Sequence, residues 1–161
     1  MELRHNPRPL WTERHLDMLQ LYGPACMGEA VPPDALAAER RAIAAGHPRT
    51  RAIPSALIFD VYSDTGKLVG EIALTRAREE AVEIHVLVFD DCKGQHVATE
   101  AIRHSVEMLE TQGVRCIEAA VRLLNPNLRQ MHHILTGLGF VRQIPTPPTV
   151  VYRYHQPGGA V

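Results

Sequence analysis

The sequence predicts one α/β (α+β) domain built on a mixed β-sheet, and three observations support this fold class. The chain has 161 residues, a length typical of one domain with one hydrophobic core. Residues 56–89 contain three short apolar segments separated by polar turns, which favours an antiparallel meander. Residues 81–124 continue as strand, helix and strand, a pattern that predicts a right-handed crossover between parallel strands. We expect residues 1–156 to form the domain and residues 157–161 a flexible tail.

The composition is that of a soluble globular protein, with 45% hydrophobic and 22% charged residues. The net charge of -1 and the aromatic content of 5% argue against a surface for nucleic acid or for an anionic membrane. Cys26, Cys92 and Cys116 lack the spacing of a disulfide framework or a zinc site, so we expect reduced thiols in the cytoplasm. No apolar run approaches the roughly 18 residues of a membrane span, and the first residues lack the order of a secretory signal.

Before the meander, the first third of the chain predicts two helices. TERHLDMLQLY spans residues 12–22, and PPDALAAERRAIAAGH spans residues 32–47, where prolines open the helix and Asp34 caps it. We expect both helices to flank the sheet as a lid rather than to form its core.

The meander comprises strands at residues 56–62, 67–76 and 81–89. Because side chains alternate along a strand, the third strand has two different faces. One face is apolar and the other has a polar end. The apolar face carries Val82, Ile84, Val86 and Val88, and the opposite face carries Glu83, His85, Leu87 and Phe89.

The second half predicts two further helices and three further strands. The first of these helices follows the loop DDCKGQH and ends at Gly113, and the strand at residues 114–124 should lie beside the third meander strand, parallel to it. The next helix begins with Asn125 as its N-cap and Pro126 in its first position. Strands at 140–144 and 149–155 complete the sheet.

The segments LVGEIAL, AVEIHVLVF, KGQHVATEAI and LGF, in this order, resemble the GNAT superfamily of acyl-CoA-dependent N-acyltransferases. The branch of the ribosomal-protein alanine N-acetyltransferases is the most similar, and the resemblance covers about residues 56–143. It implies the GNAT fold, a mixed central sheet of about six to seven strands flanked by four helices. It also implies acetyl-CoA as acyl donor without a metal, an amine acceptor, and a homodimer through the C-terminal strands.

The loop before the third helix carries the most specific part of the resemblance. The family signature, Arg/Gln-x-x-Gly-x-Gly/Ala at a helix start, binds the pyrophosphate of the coenzyme, and Lys93, His96 and Ala98 occupy its first, fourth and last defined positions. His96 stands in place of the central glycine. A helix N-terminus has unpaired N–H groups and a partial positive charge that stabilise a diphosphate. The implied binding residues are Lys93, Gly94, Gln95, His96, Val97, Ala98 and Thr99.

Two further segments are implied to bind the pantetheine arm of the coenzyme. Parallel strands that splay apart leave main-chain groups which an extended pantetheine takes up like an added strand, and we expect this of Leu87, Val88 and Phe89. Asn125 and Asn127 lie where the family often has an asparagine that contacts the arm. The capping role of Asn125 is an equally good account of that residue.

Glu83 and His85 are the candidate catalytic residues. An alkyl amine is mostly protonated at neutral pH, so a base is useful, and Glu83 matches the acidic residue that many members carry on this strand. A solvated glutamate or a salt-bridge partner is the alternative for Glu83, and a structural or pocket residue is the alternative for His85. Glu71 is interpreted as structural or substrate-facing. Leu135 stands where many members place a tyrosine that protonates the leaving thiolate, so no acid is assigned.

Other chemically capable residues favour simpler interpretations. His132 and His133 point about 100° apart on a helix, so a metal site that they form with Cys92 is disfavoured. Cys92 lacks a paired base for a role as nucleophile. Four arginines in the N-terminal region would recognise an acidic substrate, although a solvated helix face and loop is favoured; they are Arg40, Arg41, Arg49 and Arg51.

The leading functional hypothesis is an acetyl-CoA-dependent N-acetyltransferase whose acceptor is a protein N-terminus or a small-molecule amine. The alternative is a GNAT-fold module that binds CoA or regulates a partner with little or no transfer, because His96 replaces a glycine and the tyrosine is missing. Transfer of a different acyl group is a third hypothesis. Function on a shared fold has to be argued from the site.

Overall fold

The computed structural model describes residues 1–27, 30–51, 53, 55–78, 80–94 and 96–158. Residues 159–161 of the expected tail therefore lie outside the described residues. A π-helical turn, Gly23–Met27, extends the first helix, and a 3₁₀ turn, Asp90–Cys92, precedes the third. The other elements in chain order are β1 (Glu2–His5), α1 (Glu13–Tyr22), α2 (Pro33–Ala44), β2 (Ala56–Tyr62), β3 (Leu68–Arg78), β4 (Ala81–Val88), α3 (Val97–Thr111), β5 (Cys116–Arg122), α4 (Leu128–Gly137), β6 (Val141–Arg142) and β7 (Thr149–His155).

The seven strands form one mixed sheet in the order β1-β2-β3-β4-β5-β7-β6. Every neighbouring pair is antiparallel except β4 and β5, which are parallel and are connected through α3. The predicted fold class, the meander and the crossover are thus confirmed. The edge strand β1, which pairs with β2, was not predicted from the sequence because its residues alternate between charged and apolar over only four positions.

The two faces of the sheet are covered by different helices. Ile72 of β3 belongs to the hydrophobic core that includes Ile102 of α3 and Leu135 of α4, so α3 and α4 cover that face. Side chains alternate along a strand, and the neighbouring Glu71 meets His15 of α1 on the opposite face. The expected flanking position of the N-terminal helices is therefore observed, with α1 against the sheet and α2 packed on α1. None of the helices in the described ranges is long and apolar enough to cross a membrane.

Gly70 of β3 allows an unusually close approach of β4. A Cβ atom added to Gly70 would lie 2.3 Å from the carbonyl oxygen of Leu87, closer than real Cβ atoms come to other atoms. The two strands are held by main-chain hydrogen bonds on either side, so neither can retreat without loss of pairing. Only glycine fits this position, and the fit fixes the path of β4 just before the loop.

Three local expectations were wrong in detail. Helix α2 has Pro32 as its N-cap, and Asp34 lies in the first turn without capping it. Helix α4 begins at Leu128 rather than at Pro126, because Asn125 forms a turn in which its side-chain oxygen accepts from the N–H of Asn127 at 2.8 Å. The third is Arg51, which the sequence favoured as solvated and which is buried against Glu71.

Candidate active site

The site lies where β4 and β5 part. The two parallel strands pair at three residues each, from Ala81 to Glu83 on β4 and from Cys116 to Glu118 on β5. Beyond Glu83, β4 continues for five residues without pairing to β5. A gap therefore opens between the strands and leads toward the loop that precedes α3.

Main-chain groups of β4 line this gap. The N–H of Phe89 donates to the carbonyl oxygen of Val69 on β3 at 3.1 Å, and the carbonyl of Leu87 also faces β3 beside Gly70. Because successive residues of a strand direct their main-chain groups to opposite sides, Val86 and Val88 face the gap. Of the three residues expected to bind pantetheine, Val88 alone has this orientation. The sequence did not identify Val86, because the pairing register of β3 and β4 determines which β4 residues direct their main-chain groups away from β3.

Glu83 and His85 lie side by side at the beginning of the gap, as strand alternation predicted. Glu83 Oε2 is 3.4 Å from His85 Nε2, and the same His85 nitrogen lies 3.0 Å from the hydroxyl oxygen of Thr75 on β3. The Glu83 side chain is 23% exposed and that of His85 is 47% exposed, so solvent and a substrate reach both. Thr75, His85 and Glu83 thus form a row of polar side chains, here called the polar chain. It ends at the fork, the point where β4 and β5 separate.

A second carboxylate, which sequence reasoning missed, stands beside Glu83. Glu118 of β5 is the register partner of Glu83, so both side chains lie on the same face of the sheet. Glu118 Oε1 accepts from Arg78 Nε at 2.9 Å and from Arg153 Nε at 3.0 Å. These two arginines neutralise Glu118, which removes the like-charge repulsion that two adjacent carboxylates would otherwise exert.

Two described residues of the loop before α3 have left-handed backbone conformations. His96 is the N-cap of α3 with φ 58° and ψ 19°, in the left-handed region that glycine adopts without cost, and Gly94 has φ 77°. The His96 ring is exposed and makes no capping hydrogen bond. Gln95, the third residue of the expected binding segment, lies outside the described residues.

The N-terminus of helix α3 follows this loop directly. Between described residues, the first α-helical hydrogen bond of this helix runs from the N–H of Glu100 to the carbonyl of His96, at 3.1 Å. The N–H groups of Val97, Ala98 and Thr99 precede it and have no intrahelical acceptor. Lys93 brings a positive charge to the same loop. This arrangement suits an anion such as a diphosphate.

Arg51, which the sequence favoured as solvated, is buried in a charged cluster under α1. Its Nη2 donates to both carboxylate oxygens of Glu71, at 2.8 Å and 2.7 Å, and His15 Nε2 lies 3.0 Å from the same carboxylate. Burial opposes ionisation of Glu71, but the hydrogen bonds from His15 and Arg51 outweigh it, so the pKa of Glu71 lies below its usual value. The structural interpretation of Glu71 fits this pairing, whereas solvation of Arg51 was the wrong expectation.

The remaining candidate residues lie around the site in simpler roles. The Asn125 amide is engaged in the turn before α4, and His132 Nδ1 lies 2.9 Å from the hydroxyl of Tyr152. In the described residues no group of three His, Cys, Asp or Glu side chains is arranged to hold a metal ion, and the three cysteines are free. Leu135, at the position of the family tyrosine, is fully buried in the core.

Comparisons with known proteins agree with this architecture. The model of the acetyltransferase (GNAT) family matches residues 17–140. Among curated proteins none matched the chain. Solved structures match over nearly its full length, and they include an acetyltransferase from Agrobacterium tumefaciens at 18% identity and a TM-score of 0.60, covering 97% of this chain and 95% of that one.

Two further solved structures are similar to the chain. An acetyltransferase from Bacillus subtilis in complex with CoA has 14% identity and a TM-score of 0.60, with 96% of this chain and 99% of that chain covered. A ribosomal-protein-S5-alanine acetyltransferase from Vibrio fischeri has 13% identity and a TM-score of 0.58, with 90% and 86% covered. The family match spans well over half of the chain. The chain therefore belongs to the acetyltransferase (GNAT) family and is an acyl-CoA-dependent N-acetyltransferase.

Proposed function

We propose that the protein transfers an acetyl group from acetyl-CoA to a primary amine by direct attack within a ternary complex. The observation that carries this proposal is the position of Glu83 where the parallel strands β4 and β5 separate. The gap between the strands begins at Glu83 and leads to the N-terminus of α3, which no side chain caps. One groove thus offers a proton acceptor, unpaired main-chain groups and an anion site in the order that an acyl donor with a diphosphate requires.

The donor is proposed to lie along the gap with its diphosphate at the loop. The unpaired main-chain groups of Val86 and Val88 provide hydrogen bonds for an extended amide-containing arm, as an added strand would use them. Lys93 and the N–H groups of Val97 and Ala98 would bind the diphosphate. Asn127, whose side-chain amide makes no capping bond, remains a candidate contact for the arm. The similar Bacillus subtilis structure holds CoA, which supports this choice of donor.

Glu83 is proposed as the general base. The acceptor enters as an ammonium ion and has to lose a proton before its nitrogen can attack the thioester carbonyl. Glu83 accepts this proton directly or through His85, which stands 3.4 Å from it and is fixed by Thr75. The C–N bond then forms, the C–S bond breaks, and the nitrogen releases its second proton to solvent water. CoA leaves as the thiolate, which at an ordinary thiol pKa departs at modest cost.

The acceptor is proposed to be a protein N-terminus or a small-molecule amine. A similar solved structure is named for the alanine of ribosomal protein S5, which supports the first of these. The exposure of His85 leaves the polar chain open to a large acceptor as well as to a small one. Action in the cytoplasm, where the three free thiols would stay reduced, and a homodimer through the C-terminal strands remain predictions.

Binding and turnover test this proposal separately. CoA at about 100 times its dissociation constant should stabilise the fold by about 2.7 kcal/mol and raise the melting temperature by roughly 5 to 10 °C. Thiol release from acetyl-CoA should then appear with at least one member of a panel of amines and alanine-headed peptides. The absence of any thermal shift with CoA and acetyl-CoA would refute the enzyme assignment of this site.

The alternative, a CoA-binding or regulatory module, has specific support in two residues. Leu135 fills the tyrosine position with a buried aliphatic side chain, and His96 adopts a backbone conformation that is costly for it. A thermal shift with CoA but no thiol release across the panel would favour this module over the transferase.

Glu83→Gln distinguishes a catalytic carboxylate from a structural one. The variant keeps the size of the side chain and one acceptor oxygen but cannot accept the proton, so we expect kcat to fall at least roughly 100-fold with little change in the KM for acetyl-CoA. Glu107→Gln on the exposed face of α3 is the matched control and should leave both constants unchanged. Unchanged turnover in Glu83→Gln would remove this residue from the mechanism.

A further inference from the structure

The ammonium group of Lys93 is held by residues of two different elements. Its Nζ lies 3.5 Å from the centroid of the Tyr22 ring at the end of α1 and 3.7 Å from Asp90 Oδ1 in the loop. The Tyr22 hydroxyl in turn donates to the same Asp90 oxygen at 2.6 Å. Tyr22 therefore contacts Lys93 with its ring and Asp90, the counter-ion of Lys93, with its hydroxyl.

The loop is fastened to α1 at a second point. Arg14 Nη2 donates to Asp91 Oδ1 at 2.9 Å, and Arg14 Nη1 donates to the carbonyl of Leu68 at 2.6 Å. The Arg14 guanidinium also lies over the Phe89 ring, 4.1 Å from its centroid. Helix α1 is thus bound to the loop on both sides of the 3₁₀ turn, and Tyr22 is its contact closest to Lys93.

A free lysine side chain samples many rotamers and loses that freedom when it binds a phosphate. The Lys93 side chain is one-third exposed, and the Tyr22 ring restricts it to one side of the loop. Asp90 is shared between the Tyr22 hydroxyl and Lys93, so it only partly neutralises the ammonium at 3.7 Å. The charge is therefore confined before any ligand arrives.

We infer that Tyr22 is a positioning residue for the acyl donor, which holds the Lys93 ammonium at the loop that precedes α3 so that the diphosphate binds a pre-ordered cation. This inference rests on the proposed function, because it assigns the diphosphate to the Lys93 loop. It also makes α1, which lies on the face of the sheet that carries Glu71, a determinant of donor affinity.

The test is a double-mutant cycle with the dissociation constant of CoA measured by calorimetry. Tyr22→Leu should weaken CoA binding about two- to tenfold, the range of a half-exposed cation–π contact. In a Lys93→Met background the same change should have almost no further effect, because the residue acts through the lysine. Tyr22→Phe keeps the ring and should retain most of the affinity. Once an acceptor is known, Tyr22→Leu should raise the KM for acetyl-CoA and leave kcat unchanged.

Tyr62→Leu is the matched control. Its ring lies under a different cation, Arg4, at 4.1 Å, on the β1–β2 edge of the sheet. That variant should bind CoA as the wild type does, and melting temperatures of all variants show whether they fold. Additive losses from Tyr22→Leu and Lys93→Met, or unchanged or tighter CoA binding in Tyr22→Leu, would overturn the inference alone. Wild-type protein that binds no CoA would overturn the proposed function together with it.

Discussion

Gly70→Ala should destabilise the protein through a contact between main-chain atoms. The new Cβ would stand 2.3 Å from the Leu87 carbonyl oxygen, about 1 Å short of ordinary van der Waals contact. Overpacking by one methyl group costs about 1 to 3 kcal/mol, and here the obstacle is backbone, so a strand has to move and weaken its ladder hydrogen bonds by about 1 kcal/mol. We therefore expect a loss of about 2 to 4 kcal/mol in the free energy of unfolding.

Urea denaturation and thermal melting both measure this loss. For a chain of 161 residues the melting temperature should fall by roughly 4 to 16 °C. Gly137→Ala is the control, because this helical glycine has no atom within 4 Å of an added Cβ and should become neutral or slightly more stable, by up to about 1 kcal/mol. If Gly70→Ala melts like the wild type, the close approach of β3 and β4 does not require glycine.

Three further predictions follow from single side chains. His96→Gly should unfold at the same or a higher urea concentration, since it removes a left-handed conformation that costs about 1 kcal/mol or more, and it should bind CoA at least as tightly; weaker binding would identify the imidazole as a phosphate ligand. Burial raises the pKa of Glu71, but the hydrogen bonds from His15 and Arg51 lower it by more, so the net shift is downward. The contribution of Glu71 to stability is therefore present above about pH 4.5 and is lost as the pH falls below that value. The unfolding free energy of the Glu71→Gln variant, measured at a series of pH values, should lack this acid dependence. A variant whose pH profile is identical to that of the wild type would refute the role of Glu71. Burial raises the pKa of Tyr154 to about 12, so wild-type stability should fall as the pH rises from about 10 through 12, and a Tyr154→Phe variant with the same alkaline loss would contradict that origin.

Most of the fold follows from patterns that are local in the sequence. The alternation in β2 to β4 and the strand–helix–strand pattern through α3 depend on residues close together in the chain, and the structure confirms both. The short edge strand β1 was missed because its pairing with β2 is a contact between residues more than 50 positions apart. Burial of Arg51 has the same character, since it depends on the carboxylate of Glu71 on β3, 20 positions away.

The candidate site was predictable to the extent that it depends on strand alternation. Glu83 and His85 share a face because they are two residues apart, and the helix N-terminus follows the loop directly. The positions of Glu118 and Val86 in the site depend instead on the pairing register between strands, which cannot be read from the sequence. Tyr22 depends on how α1 packs across the sheet onto the loop, and no local pattern indicates that packing.

The fork that forms the groove also divides the sheet mechanically. In the described part of the chain, three residue pairs join a four-stranded half, β1 to β4, to a three-stranded half that contains β5, β7 and β6. Amide protons on the open stretch of β4 should exchange with solvent faster than those within either half. A molecule that spans the gap would tie the halves together along the rest of β4, so occupancy of the groove should slow exchange in both halves at once and merge them into one cooperative unit.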